Sequence, residues 1–454
     1  MNLPETFLSQ TKAILQDDFD SLIQAIDEES PTSIRYNINK YLPTPTDDIH
    51  ELPVPWASNA FYLKKRPSFT LDPLFHAGCY YVQEASSMFL EQFVRTYINE
   101  PVKCLDLCAA PGGKSTHLSS ILPEGSLLVA NEVIRSRSHI LCENLIKWGS
   151  PYSIVTNNDP KNIGNSLSGF FDLIVADVPC SGEGMFRKDK NAITEWSLAN
   201  VNLCAERQRR IIADIWPALK PGGILIYSTC TFNPEENEEN IHWIKTTFEA
   251  EPLNIETQPD WNITRSKRYD YPVFRFIPGK TKGEGFFIAA IRKPESAFSK
   301  NFSGKQKKNK KSSDKTIIPS GTKDWIRNAD LFATKINNNV VLEIPKTIES
   351  DYLQIANFLH VIHAGIKLGE IKGRDVIPDH SLAMSVFMNR DIFPSTAIDK
   401  ETAIKYLRRE AIQLSPETRK GFLLLTYQDH PIGFVKNLGN RANNLYPQEW
   451  RIRF

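Results

Sequence analysis

Four short apolar runs each break off into residues that a buried strand cannot use, and this repetition constrains the fold more than any other feature. Residues 102–107 (VKCLDL) run into Cys108, Ala109, Ala110, Pro111, Gly112, Gly113 and Lys114. Residues 127–130 (LLVA) end on Asn131 and Glu132, and 171–176 (FDLIVA) on Asp177, Val178, Pro179 and Cys180. Residues 223–228 (GILIYS) end on Thr229, Cys230 and Thr231, and a late run follows at 286–291 (FFIAAI). Runs of this length without alternation fit strands buried on both faces. Longer helical patterns between them mark an α/β domain with a largely parallel sheet. Ligands of such sheets bind beyond the carboxyl ends of the strands, so the four polar endings converge on one pocket.

This pattern occupies residues 76–293 of a 454-residue chain, which leaves room for further domains. Residues 1–75 join an amphipathic helical stretch (Phe7, Ile14, Leu15, Leu22, Ile26) to turns around Pro43, Pro45, Pro53 and Pro55. We assign them to a small N-terminal domain. Residues 294–320 form a linker with Lys300, Lys305, Lys307, Lys308, Lys310, Lys311 and Lys315. It reads first as a solvated flexible spacer and second as a mobile contact for RNA phosphates, and both can hold at once. Residues 321–454 form a last domain with β-like runs at 340–344 and 421–427.

No apolar run approaches the roughly 20 residues that span a bilayer, and residues 1–10 lack the pattern of a secretory signal. A cytoplasmic location is expected, without membrane contact. Seven cysteines, an odd number, fit neither a disulfide framework nor zinc spacing, so no metal is expected.

The glycine-rich turn 109–113 gives a tight bend and close backbone approach to a ligand. Gly113, Lys114 and Ser115 satisfy the end of a P-loop, but Cys108 stands where its first glycine belongs, which keeps a P-loop NTPase as a rival. Glu132, about 25 residues on, is placed to accept hydrogen bonds from both hydroxyls of a ribose, and a surface acid at a strand end is the plainer reading. Asp159 is placed to reach an adenine edge, or simply to close an Asx turn. Asp177 and Cys180 put a carboxylate and a thiol at one strand end, with Pro179 stiffening the backbone between them, an arrangement that can hold a flat base by its polar edge. Cys230 stands just before a predicted helix with Asn233 as N-cap and Pro234 as first residue, whose dipole favours a thiolate while Glu235, Glu236, Glu238 and Glu239 oppose it.

The runs LDLCAAPGGKS (105–115), ADVPCSGEG (176–184), YSTCTFNPEENE (227–238) and GEGFFIA (283–289) resemble the sequential motifs of the Nol–Nop–Sun family of RNA cytosine-C5 methyltransferases. The similarity extends back through YYVQEASS (80–87) and covers most of residues 30–293. Pairing a Pro-Cys with a downstream Thr-Cys sets the family apart from DNA cytosine methyltransferases, which use only the first. The resemblance implies a Rossmann-like class I methyltransferase core with S-adenosylmethionine as cofactor. It implies that Cys108 to Lys114, Glu132, Asp159 and Asp177 hold that cofactor. It also implies Cys230 as nucleophile at carbon 6 of a cytosine, Cys180 as assistant to product release, with Cys180 or water taking the carbon 5 proton, and Asp177 as a contact to the base.

The tail FVKNLGNRANNLYP (434–447), with Trp450 to Arg453, resembles the mostly β PUA-like domain of bacterial members that act on 16S rRNA. Arg187, Lys188 and Asp189 point the same way. The expected partner is therefore small-subunit ribosomal RNA or an assembling ribosomal particle, with tRNA as the alternative. An RNA-binding scaffold without turnover is the rival from another class. Retention of both Cys180 and Cys230 argues against it.

Overall fold

The amphipathic start of the chain forms two helices, Glu5–Leu15 and Phe19–Ile26, which bury Phe7, Leu15, Leu22 and Ile26. The computed structural model describes residues 3–42, 49–266, 268–296, 319 and 321–453. The lysines of the linker lie outside the described residues. Strands β1 (Ser33–Tyr36), β2 (His50–Pro53), β3 (Ala60–Leu63) and β4 (Tyr80–Val82) build a small sheet in the order β2-β3-β1-β4. Its last strand comes from beyond residue 75.

The central sheet holds β5 (Lys103–Asp106), β6 (Leu127–Asn131), β7 (Ser153–Thr156), β8 (Phe171–Asp177), β9 (Leu219–Thr229), β10 (Glu251–Leu253), β11 (Phe274–Phe276) and β12 (Phe286–Arg292). Five strands in the order β9-β8-β5-β6-β7 are parallel, and β12 runs antiparallel beside β9. Alternate side chains of each strand enter different cores. Leu105, Val129, Ile174 and Leu225 face one, while Cys104, Leu128, Leu173 and Ile226 face the other. Both faces of the sheet are covered, which is why the strands read as unbroken apolar runs. The result is a class I methyltransferase core.

Beyond the linker lie β13 (Phe332–Asn337), β14 (Val340–Pro345), β15 (Val361–Ala364), β16 (Ile366–Lys372) and β17 (Asp375–Pro378). They are followed by β18 (Ser395–Ala397), β19 (Gly421–Tyr427), β20 (His430–Asn437) and β21 (Ala442–Asn444). They make two four-stranded sheets, β13-β14-β16-β17 and β18-β19-β20-β21. Strand β15 instead pairs with β7 and extends the central sheet. The C-terminal region is thereby hydrogen-bonded into the core. Among the described residues, no helix is long and apolar enough to cross a membrane.

Candidate active site

The strand order reverses between β5 and β8, and the crevice outside their carboxyl ends opens into a cavity of about 390 Å³. Asp106, Cys108, Ala109, Ala110, Pro111, Gly113 and Lys114 line it from the β5 end, Asp177 from β8 and Cys230 from β9. Residues 81–84 of the N-terminal sheet close the opposite wall, with Met185, Lys188 and Phe286. Gly112 turns the chain into the helix Gly113–Ile121 at a φ of 119°, a left-handed conformation that favours glycine. A larger cleft of about 680 Å³ opens at the amino-terminal edge of the sheet beside Ser126 and Tyr152. No cysteine lines it, so chemistry rather than volume selects the site.

The sulfurs of the expected nucleophile and its expected assistant meet. Cys180 Sγ lies 3.0 Å from Cys230 Sγ and accepts the Cys230 backbone N–H at 3.3 Å. Contact with Cys230, then burial, pushes the Cys180 thiol well above its ordinary value. Two reciprocal latches fix this spacing. Glu236, from the Cys230 loop, accepts the Ser181 N–H at 3.0 Å, and Glu183, from the Cys180 loop, accepts the Phe232 N–H at 2.9 Å. Ser181 Oγ meets Thr231 Oγ1 at 3.0 Å, and Gly184 N–H donates to Cys230 O at 2.9 Å. Burial raises both latch carboxyls, that of Glu236 to about 7.

These latches correct one expectation. The helix after Cys230 is Glu238–Phe248, with Asn237 at its N-cap position, and Asn233 is not its cap. Asn233 Oδ1 accepts the Glu235 N–H in a local turn at 3.0 Å. Glu236 is held by Ser181 and Gln208, and Glu238 binds the buried Arg275, whose guanidinium also donates to Phe232 O. Glu235 and Glu236 thus precede the helix, while Glu238 and Glu239 form its first turn, so the helix starts at Glu238 and not at Pro234.

Asp177 is tied at both oxygens. Oδ2 lies 2.8 Å from Lys114 Nζ, and Oδ1 accepts from Ser228 Oγ at 2.7 Å. The parallel register Asp177↔Ser228 produces the second contact. Burial works against the charge on Lys114, but Asp177 and Asp106 outweigh it and hold the ammonium above the usual lysine value.

Asp106 was not singled out from the sequence, although it lies inside the first motif. Burial pushes its carboxyl up to about 7, with Asp177 and Glu132 adding to the effect against Ser115 and Lys114. Oδ2 accepts Ser115 Oγ at 2.6 Å, while Oδ1 is buried without a partner.

Glu132 is buried at the β6 end, where Oε1 accepts the Ile134 N–H at 2.9 Å and Oε2 lies 3.8 Å from Arg137. It stands behind the cavity wall. Burial, then Asp106, Asp177 and Glu132, drive the Cys108 thiol upward. Asp159 is exposed, and its Oδ1 accepts the Lys161 N–H at 2.9 Å as cap of the helix Pro160–Ser166. That is the Asx geometry, outside the cavity wall.

The N-terminal helices seat both cysteine loops. Phe7 packs on Phe186 (5.0 Å between ring centroids) and Trp196 (5.6 Å), and the same cluster takes in Phe232. Gly285 admits no side chain, because a Cβ there would lie 2.4 Å from the Phe232 ring and 2.8 Å from Gly184 Cα.

Comparison with known proteins gives the family of the chain. The profile of "16S rRNA methyltransferase RsmB/F" matches residues 97–292, the N-terminal domain of "16S rRNA methyltransferase RsmF" matches 3–85, and the "Methyltransferase RsmF PUA domain" matches 393–452. The PUA match covers β18 to β21, so β13 to β17 lie outside it. Ribosomal RNA small subunit methyltransferase F of Vibrio vulnificus is 31% identical over 98% of this chain and 97% of its own length. That of Serratia proteamaculans is 28% identical over 98% and 96%. A methyltransferase homolog from Pyrococcus horikoshii shares 28% identity and a TM-score of 0.55 over 64% of this chain and 95% of its own.

S-adenosylmethionine is the cofactor of the core. The cavity suits it in size, in the apolar wall of Ala109, Ala110 and Phe286, and in the unpartnered oxygen of Asp106. By sequence along nearly its whole length and by the fold of its core, the chain belongs to the ribosomal RNA small subunit methyltransferase F family.

Proposed function

We propose that the chain methylates carbon 5 of a cytosine in small-subunit ribosomal RNA, with Cys230 adding covalently at carbon 6. One observation carries this reading: Cys230 lines the cavity 3.0 Å from a second sulfur, Cys180, where Asp177 and Lys114 also meet. Carbon 5 of cytosine is a poor nucleophile until a thiolate adds at carbon 6 and pushes electrons into the ring. Cys180, held as a thiol by its contact with Cys230 and by burial, lies within hydrogen-bond distance of the Cys230 sulfur. Asp177 accepts from the N4 amino group at the polar edge of the base, the contact by which carboxylates read cytosine. Lys114 neutralises the charge that collects on that edge.

When bound, S-adenosylmethionine supplies an electrophilic methyl group to carbon 5. We assign its binding to Cys108, Ala109, Ala110, Pro111, Gly112, Gly113 and Lys114, with Asp106, Glu132 and Asp177 around them, and Asp159 at the outer end. Loss of the carbon 5 proton to water then restores the ring double bond, and the carbon 6–sulfur bond breaks. Cys180 is placed to hydrogen-bond the departing sulfur. The similarity to ribosomal RNA small subunit methyltransferases supports ribosomal RNA as substrate, and the PUA domain supports RNA binding.

Cys230→Ala is the test. Methyl transfer from tritiated cofactor to small-subunit RNA is expected to vanish, while calorimetry finds cofactor binding nearly unchanged. Appreciable turnover by Cys230→Ala would remove Cys230 from the role.

A further inference from the structure

Three rings outside the cavity form a flat deck that the reaction above does not use. Tyr271 Oη sits 2.9 Å from His242 Nδ1, edge to edge, with the ring planes only 14° apart. Tyr269 covers this pair. Its centroid lies 4.7 Å from that of His242 at 2° and 5.2 Å from that of Tyr271 at 15°. The buried rings around Phe89 meet instead at 45° to 90°. All three deck rings are half-buried, and among the described residues no further ring meets the outer face of Tyr269.

The deck is held in place before any ligand arrives. Tyr269 Oη donates to the Glu239 carboxylate at 2.9 and 3.0 Å, and Arg268 pairs with that carboxylate at 2.9 Å. Such preorganisation lowers the entropy lost on binding. The deck also lies close to the chemistry. His242 and Glu239 sit near the start of the helix Glu238–Phe248, and Arg268 pairs with Glu235 at 3.2 Å. Glu235 lies five positions after Cys230, an extended span of at most ~18 Å.

The chemistry of the patch selects its ligand. Lys245 lies 5.8 Å from the Tyr271 centroid, and Arg268 is shared between Glu235 and Glu239. The open aromatic face, with Lys245 beside it, is therefore what selects the ligand, not a net positive charge. An aromatic ring with one open face, and a lysine beside the deck, suits a splayed-out base, the mode by which single-stranded RNA is recognised.

We propose that Tyr269, backed by His242 and Tyr271, stacks an unpaired base of the RNA flanking the cytosine held at Cys230. This rests on the RNA reading above and names a second contact within it.

The test uses the full chain carrying Cys230→Ala, so that binding is read without a covalent adduct. The probe is a cytidine-rich single-stranded RNA with one 2-aminopurine, placed in turn on either side of a cytidine. Quenching of 2-aminopurine on binding is expected, from stacking. Adding Tyr269→Ala should abolish the quenching and weaken RNA binding roughly 10-fold. Tyr269→Phe keeps the ring while losing the Glu239 bond and should retain most of both. Thermal melting checks that each variant is folded.

Unchanged quenching and affinity in folded Tyr269→Ala would overturn the proposal. So would equal losses in Tyr269→Phe and Tyr269→Ala, since the ring would then not be the ligand. RNA binding that depends on Tyr269, in a protein whose parent methylates no cytosine, supports the deck and counts against the reaction alone.

Discussion

Replacing Glu183 with Ala strikes the geometry on which the two sulfurs depend. Glu183 is 3% exposed and satisfies two buried donors, the Phe232 N–H and the Trp196 Nε1–H, each at 2.9 Å. Orphaning a buried donor costs ~1–3 kcal/mol, so the pair is worth roughly 2–6 kcal/mol. Burial also makes the carboxyl itself unfavourable as a charge, and removing it offsets part of that loss. The expected net loss of stability is therefore about 2–4 kcal/mol, measured by urea unfolding.

The Cys230 loop keeps its Gly184 and Glu236 contacts but is no longer fixed at Phe232. Turnover is expected to fall at least ~10-fold, which needs only about 1.4 kcal/mol at the transition state. Cofactor affinity, set at the β5 end, should change little. Glu236→Ala acts on the same gap from the other side, so the double variant should lose less turnover than the two single effects predict together. Stability within ~0.5 kcal/mol of the parent, with full turnover, would refute the latch.

Other outcomes can be checked on the same preparations. Glu132→Ala should weaken S-adenosylmethionine binding by roughly 2–4 kcal/mol, if two ribose hydroxyls donate to that carboxylate. An unchanged dissociation constant by calorimetry would mean that the β6 end does not hold the ribose. Asp106, near 7 in the fold and about 3.9 when unfolded, keeps the folded chain more protonated between those values. Its contribution to stability therefore declines as pH rises from about 4 to about 7. Asp106→Asn should flatten part of that slope in urea titrations, leaving the share of Glu236, and an unaltered slope would exclude Asp106 as a cause.

Much of this architecture was legible because buried parallel strands leave a simple trace. The five runs read at 102–107, 127–130, 171–176, 223–228 and 286–291 are β5, β6, β8, β9 and β12, displaced by a few residues at their ends. Strand β7 was not foreseen, since the four residues of SIVT carry too little pattern. The pairing of β15 with β7 was invisible for another reason: nothing local in Val361–Ala364 tells that its partner lies some two hundred residues earlier.

At the site, the strand-end argument brought Cys108 to Lys114, Asp177 and Cys230 to one cavity, and Cys180 against Cys230. It overlooked Asp106 and Glu183, and gave Glu236 no structural role, because buried acids inside motifs look like ordinary polar residues until their donors are known. Asp106 had one usable signal, a carboxylate between the apolar Leu105 and Leu107. The helix expected at Asn233 starts later for the same reason, since Glu236 is held by Ser181 before the helix begins at Glu238. Asp159 forms the Asx turn that was one of its two readings.

The covalent mechanism stands or falls on the fate of the adduct in Cys180→Ala. With Cys180 in place to assist departure of the Cys230 sulfur, its removal should let addition and methylation proceed while release stalls. Cys180→Ala incubated with cofactor and small-subunit RNA is expected to give a protein–RNA complex that survives denaturing electrophoresis. The complex should be missing from the Cys180→Ala, Cys230→Ala double variant. A complex formed by Cys230→Ala and not by Cys180→Ala would exchange the roles of the two sulfurs. No complex from either, beside normal methylation, would contradict covalent catalysis altogether.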